Sequence, residues 1–217
     1  MTRRELRRLA QTLDVPGAPA GDGLRVLMVC TGNICRSPMA EVLLRARLKG
    51  AAVRVHSAGT RALVGEAMTT DAVDLAIVNG ASEADAAEHR ARWLREPIAE
   101  DADLVLAMTR EHRTATVELA PRLLRQSFTV REFARLATPL SDEQLSEVAD
   151  DAGSAPRARL VAVLGLLSAQ RGLVAPTVGD DDVIDPYRRD RQVYELSAGQ
   201  LVPAIDEVAR VLRATLR

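Results

Sequence analysis

The chain has 217 residues, 47% of them hydrophobic and 27% charged, which supplies a real core and excludes disordered and fibrous classes. Basic and acidic residues nearly balance, 29 against 30, so no global positive field draws nucleic acid; with 2% aromatics, no platform for base stacking can be built either. The two cysteines, Cys30 and Cys35, are too few and too close for a secreted disulfide scaffold.

Residues 2–14 read as a short basic helix, and PGAPAGDG (16–23) as a flexible connector. This start has no apolar stretch suited to a signal peptide, and no apolar run approaches the roughly 18 residues of a membrane span. A soluble, cytoplasmic protein is expected. The folded unit is expected to run over 24–217. LRVLMVC (24–30) is a nearly continuous apolar run, as in a strand buried on both faces. SPMAEVLLRARLKG (37–50) has helical spacing and a terminating glycine. AVRVHSAGT (52–60) reads as a second strand, TTDAVDLAIVNG (69–80) as a helix, ADLVLAMT (102–109) as a third strand and REHRTATVELAP (110–121) as a helix closed by proline. QSFTV (126–130) is a short fourth strand. The stretch 141–178 reads as an insertion: SDEQLSEVADDAGSAP acidic and solvated, RARLVAVLGLLSAQRG helical, LVAPTVGDDD an acidic loop. An amphipathic helix closes the chain.

Strands alternating with helices imply parallel pairing through right-handed crossovers. The expected fold is a single doubly wound α/β domain, with a four-stranded parallel sheet and helices on both faces. Ligands of such sheets lie beyond the carboxyl ends of the strands, where winding reverses. Cys30 stands at such an end.

CTGNICRS (30–37) therefore lies between a buried strand and a helix. A loop running into a helix N-terminus can turn successive backbone N–H groups inward as an anion nest, formed here by Thr31, Gly32, Asn33, Ile34 and Cys35. Gly32 supplies backbone freedom, and Asn33 tolerates a left-handed conformation. Arg36 closes the ring with a guanidinium suited to two phosphate oxygens. Ser37 can cap the helix or donate to the thiolate, and Pro38 suits its first turn. A cysteine in such a nest beside an arginine is held as thiolate, a nucleophile aimed at phosphorus.

VCTGNICRSPMAE closely resembles the signature of the low-molecular-weight protein tyrosine phosphatases, and the order of later segments is similar over about 24–137 and 183–215. The resemblance implies a cysteinyl-phosphate mechanism on phosphorylated protein, with no metal or cofactor, in a monomer or weak homodimer that opposes a tyrosine kinase or acts on its targets. A leaving oxygen needs a proton donor. The family carries its general acid in an Asp-Pro-Tyr context, which assigns that role to Asp185, before Pro186 and Tyr187. Asp180, Asp181 and Asp182 lack that context and read as solvated loop charge; carboxylates crowded together would raise one another's proton affinity. Ser57 and His89 match family positions that hold the cradle's Asn33 and Ser37. His56 and His112 receive no role. Cys35 is either a small apolar residue at the helix start or, as in relatives, the partner that captures an oxidised Cys30 as a disulfide.

Ile34, Leu63 and Tyr187 would wall a slot for phosphotyrosine. Two departures from the family matter: Arg61-Ala62-Leu63 follows SAGT, and Arg188 follows Asp-Pro-Tyr, where many relatives carry aromatics. A protein-arginine phosphatase subfamily shares the cradle and resembles ADLVLAMTREH, but typically has threonine at the position of Ile34. Arsenate reductase shares the fold; with no cysteine after Cys35, that chemistry would require an external thiol. A phosphate-binding module without turnover would need an impaired Cys30, Arg36 or Asp185.

Overall fold

The computed structural model describes residues 23–175 and 181–217; the expected basic helix, residues 16–22 of the expected connector, and residues 176–180 of the expected acidic loop, Asp180 among them, lie outside the described residues. Four strands form one sheet: β1 (Leu24–Cys30), β2 (Val53–Gly59), β3 (Leu104–Ala107) and β4 (Ser127–Thr129). Their spatial order is β2-β1-β3-β4, and every pairing is parallel. The chain winds from β1 outward to β2, then crosses back to β3 and β4, so winding reverses beside β1.

The helices are α1 (Arg36–Arg47), α2 (Thr70–Val78), α3 (Glu83–Glu88), α4 (Glu96–Glu100), α5 (Arg110–Leu119), α6 (Val130–Ala137), α7 (Asp142–Asp151), α8 (Pro156–Ala169) and α9 (Arg191–Leu216). β1 is buried on both faces because its side chains alternate between two apolar layers. Leu24, Val26, Met28 and Cys30 join the larger one, with α1, α6, α8 and α9. Leu27 and Val29 join the smaller one, with Leu94, Ala99, Val105 and Leu123. The doubly wound α/β expectation therefore holds.

The acidic stretch after Ser141 does not fold as the solvated segment expected. It forms α7, started by a reciprocal capping box in which the Ser141 hydroxyl accepts from the Gln144 N–H and the Gln144 side chain accepts from the Ser141 N–H. Leu145 and Ala149 lie four residues apart and share the buried face, while the carboxylates face out. α8 buries Leu160, Val163, Leu164 and Leu167 in the same layer. Among the described residues no helix is long and apolar enough to cross a membrane.

Candidate active site

The loop from Thr31 to Cys35 turns the end of β1 into the start of α1. Asn33 takes the left-handed conformation expected of it, with φ of 57°. Gly32 departs from expectation: its φ is not positive, and a Cβ there would meet only Ile34 Cγ1, at an ordinary 3.5 Å. The glycine this loop requires is Gly59, at the end of β2. A Cβ on Gly59 would sit 2.4 Å from the Thr31 carbonyl oxygen and 3.0 Å from Asn33 Cβ.

The Cys30 sulfur is buried and lies 2.9 Å from the Ser37 hydroxyl, while the Asn33 N–H donates to it at 3.3 Å. Asn33 is saturated. Its Nδ2 donates to Ser37 Oγ at 3.0 Å and to Ser57 Oγ at 2.8 Å. Its Oδ1 accepts from the Arg92 N–H at 2.9 Å, and its carbonyl pairs with His89 Nε2 at 2.7 Å. Burial pushes His89 below the ordinary histidine range, so the ring is neutral and Nε2 carries the proton given to that carbonyl. Ser57 and His89 thus both bond Asn33, and Ser37 is held through Asn33 Nδ2.

Two further residues around the loop were not anticipated, Glu41 within this network and His112 outside it. Glu41, on α1, is a buried carboxylate that accepts from the Ser57 hydroxyl at 2.5 Å and pairs with Arg45 at 2.5 Å. His112, on α5, lies beneath the first loop residue. Its Nε2 is 2.8 Å from Thr31 Oγ1 and its Nδ1 2.8 Å from Thr109 Oγ1. Burial, then the positive charge of Arg36, pushes it down to about 4. The spacing from Thr109 was the available signal, since a threonine three residues ahead caps the helix through the His112 N–H.

Arg36 is buried, with one guanidinium nitrogen 2.7 Å from Asp185 Oδ2 and another donating to the Val183 carbonyl at 3.1 Å. The Asp185 side chain is 51% exposed, at the mouth, and its other oxygen accepts from the Tyr187 N–H at 3.2 Å across Pro186. The segment before it is seated on the carboxyl ends of β3 and β4. The Val183 N–H donates to the Met108 carbonyl at 2.8 Å, and Thr129 Oγ1 donates to the Asp181 carbonyl at 2.6 Å. Asp181 and Asp182 are not free loop charge as expected. Arg135 grips the Asp181 carboxylate with two nitrogens, at 2.9 and 2.7 Å, and the Arg110 N–H donates to Asp182 at 2.8 Å. Each negative charge is answered by its own arginine and is not pooled around Asp185.

These groups enclose a slot of about 120 Å³. Cys30, Thr31, Gly32 and Cys35 line its floor region with Arg36, and Ile34, Arg61, Leu63, Asp185 and Tyr187 complete its lining. Cys35 is buried and free; its sulfur lies 3.4 Å from Thr69 Oγ1 and 3.6 Å from the Tyr194 hydroxyl, and burial pushes its thiol up.

Residues 25–153 match the family model described as low molecular weight phosphotyrosine protein phosphatase. The low molecular weight protein-tyrosine-phosphatase Etp of Escherichia coli K12 is 44% identical over 98 residues, 45% of this chain and 63% of that protein. This chain thus spans somewhat under two thirds of that relative's length. The protein-arginine-phosphatase of Bacillus subtilis is 38% identical over 110 residues, 50% of this chain and 71% of that protein. Among solved structures, the low molecular weight protein tyrosine phosphatase from T. tengcongensis superposes with a TM-score of 0.60 at 31% identity, covering 86% of this chain and 97% of that one. The arginine phosphatase from Geobacillus stearothermophilus gives 0.60 at 28% identity, covering 88% and 93%.

Proposed function

The chain belongs to the low molecular weight phosphotyrosine protein phosphatase family, and on that premise we propose that it hydrolyses phosphomonoesters, protein phosphotyrosine foremost, through a cysteinyl-phosphate intermediate. One observation carries the proposal: the Cys30 sulfur lies under two hydrogen-bonding groups, in the same slot as the Arg36 guanidinium and the Asp185 carboxylate.

Cys30 is the nucleophile. Because the Ser37 oxygen already accepts from Asn33 Nδ2, its own proton is free for the sulfur, which gains two donors as a thiolate. Arg36 and the loop N–H groups bind the phosphate dianion. In the first step the S–P bond forms as the ester P–O bond breaks, and Asp185 gives its proton to the leaving oxygen. In the second, Asp185 takes a proton from water, whose oxygen attacks phosphorus. The S–P bond then breaks, returning thiolate and inorganic phosphate. The transition state is loose, so positioning and electrostatics dominate the rate. Asn33 within the loop, and Ser57, His89, Glu41 and His112 behind it, act as positioning residues.

Support for an aryl phosphate comes from the walls: Ile34, Leu63 and Tyr187 are apolar or aromatic and line the slot. Ile34 stands where the arginine phosphatase subfamily typically has threonine, which favours the tyrosine reading over the arginine one. Paired free thiols at the slot suit a reducing cytoplasm, where the substrates would be products of protein kinases.

Initial rates on p-nitrophenyl phosphate, phosphotyrosine peptide and phosphoarginine peptide test the proposal. Hydrolysis of the first two, lost in Cys30→Ser while that variant still binds phosphate, is the expected result. Appreciable turnover by Cys30→Ser would overturn the mechanism. A preference for phosphoarginine would transfer the substrate to the arginine reading, and thiol-dependent arsenate reduction without ester hydrolysis would replace the activity altogether.

A further inference from the structure

Beside the slot runs an open groove of about 760 Å³ that shares Ile34, Leu63 and Tyr187 with it. Beyond those three, its lining includes Val64, Met68 and Trp93. Val64 is 60% exposed and Trp93 44%, with Leu63 and Tyr187 also exposed. Large apolar side chains exposed together around one concavity mark an interaction site, because leaving them in water costs free energy that an occupant recovers.

The groove is preformed. The Leu63 N–H donates to the Gly32 carbonyl at 3.0 Å and the Thr69 N–H to the Ile34 carbonyl at 2.9 Å, which ties this wall to the cradle loop. The Gly65 N–H reaches the Ala91 carbonyl at 2.9 Å, and the Leu94 N–H reaches the Gly59 carbonyl at 2.8 Å, fixing the segment that carries Trp93. An occupant therefore meets ordered walls and does not have to organise them.

We propose that this groove receives the polypeptide flanking the phosphorylated residue of a protein substrate, and that it selects a large apolar side chain in that flank. The inference rests on the phosphatase reading of the slot. A small aryl phosphate fills the slot alone, whereas a polypeptide leaving it past Ile34, Leu63 and Tyr187 enters the groove at once. A second copy of the chain seated there would cover Leu63 and Tyr187 and close the slot, so the substrate's own chain is the occupant that continuity favours.

Trp93 is the chain's single tryptophan and reports directly on the groove. The test compares p-nitrophenyl phosphate with two phosphotyrosine peptides, one flanked by Leu and Phe and the other by Ser. The apolar flank is expected to raise kcat/KM about tenfold, or 1.4 kcal/mol. Trp93→Ala and Val64→Ser should each erase that gain while p-nitrophenyl phosphate turnover stays within twofold and the melting temperature holds. In Cys30→Ser, the apolar-flanked peptide should shift Trp93 emission where inorganic phosphate does not. Equal rates for the two peptides would overturn the proposal. So would a Trp93 response to protein concentration alone, with Trp93→Ala abolishing a dimer in sedimentation. If the wild type fails to hydrolyse p-nitrophenyl phosphate, the phosphatase reading falls, while the emission shift still scores the groove by itself.

Discussion

Arg36 and Asp185 are joined by a 2.7 Å ion pair across the mouth of the slot. The guanidinium proposed to bind phosphate and the proposed acid are thus paired with each other, and a phosphate dianion would have to compete with the carboxylate for the same nitrogen. Asp185→Asn should lower kcat about 10²- to 10³-fold for poor leaving groups, and less for p-nitrophenol, which departs without a proton. The same variant should bind inorganic phosphate more tightly than the wild type, since a neutral amide competes less well for Arg36. Inhibition constants for phosphate, measured beside a leaving-group series, check both halves.

Glu41 anchors the hydrogen-bond network from behind. Its carboxylate accepts from Ser57 and pairs with Arg45, and Ser57 in turn accepts from Asn33. Removing it leaves the buried Ser57 hydroxyl without its acceptor, whereas the exposed Arg45 keeps its bonds to the Val55 carbonyl. Glu41→Ala should cost about 2 kcal/mol in urea unfolding and lower kcat as well, because Asn33 loses its backing. Glu41→Gln keeps an acceptor for Ser57 and should recover much of both.

How much of this was legible in sequence divides by distance along the chain. Cys30 to Ser37 is one local motif between a buried strand and a helix, so its place in the fold follows from spacing, although the glycine that shapes it, Gly59, comes from β2; Asp185 was reached only through the family resemblance of its Asp-Pro-Tyr context. Glu41 looks like one acidic residue on an ordinary helix; only the return of β2 brings Ser57 against it, and nothing local announces that burial. His112 meets Thr31 across 81 positions. α7 was misread for a different reason. Its many carboxylates masked Leu145 and Ala149, whose spacing of four was the sounder signal because it defines the buried face. Asp181 and Asp182 looked solvated because their arginine partners, Arg135 and Arg110, lie far earlier in the chain.

His56 and His112 predict a pH dependence of stability. Burial pushes His56 down to about 3, and burial with Arg36 pushes His112 down to about 4. Both are neutral when folded, whereas an unfolded histidine takes up a proton near pH ~6.5. Below that pH the unfolded state binds more protons than the native one, so stability falls with falling pH until the folded groups themselves titrate. Each histidine contributes a slope of at most about 1.4 kcal/mol per pH unit in that window. Unfolding by urea at pH 7.5, 6, 5 and 4.5 should show the decline, and His56→Asn should flatten part of it. A stability that is level from pH 7 to 4.5 would contradict the buried neutral state of both rings.

Gly59 and Gly32 make opposite predictions, although only Gly32 belongs to the cradle motif. A methyl group on Gly32 would touch Ile34 Cγ1 at 3.5 Å, and the residue needs no positive φ. Gly32→Ala should therefore fold normally and keep most of its activity on p-nitrophenyl phosphate. On Gly59 the same methyl would lie 2.4 Å from the Thr31 carbonyl oxygen and 3.1 Å from the Asn33 nitrogen, both backbone atoms of the cradle. Neither can yield without moving the loop, and the Asn33 N–H is one of the two donors to the Cys30 sulfur. Gly59→Ala should lower kcat by about 10²-fold, as the loss of a preorganised donor does elsewhere, and should weaken phosphate binding in parallel. Should Gly32→Ala prove the more damaging of the two, the close approach of β2 to the cradle would not be what shapes it.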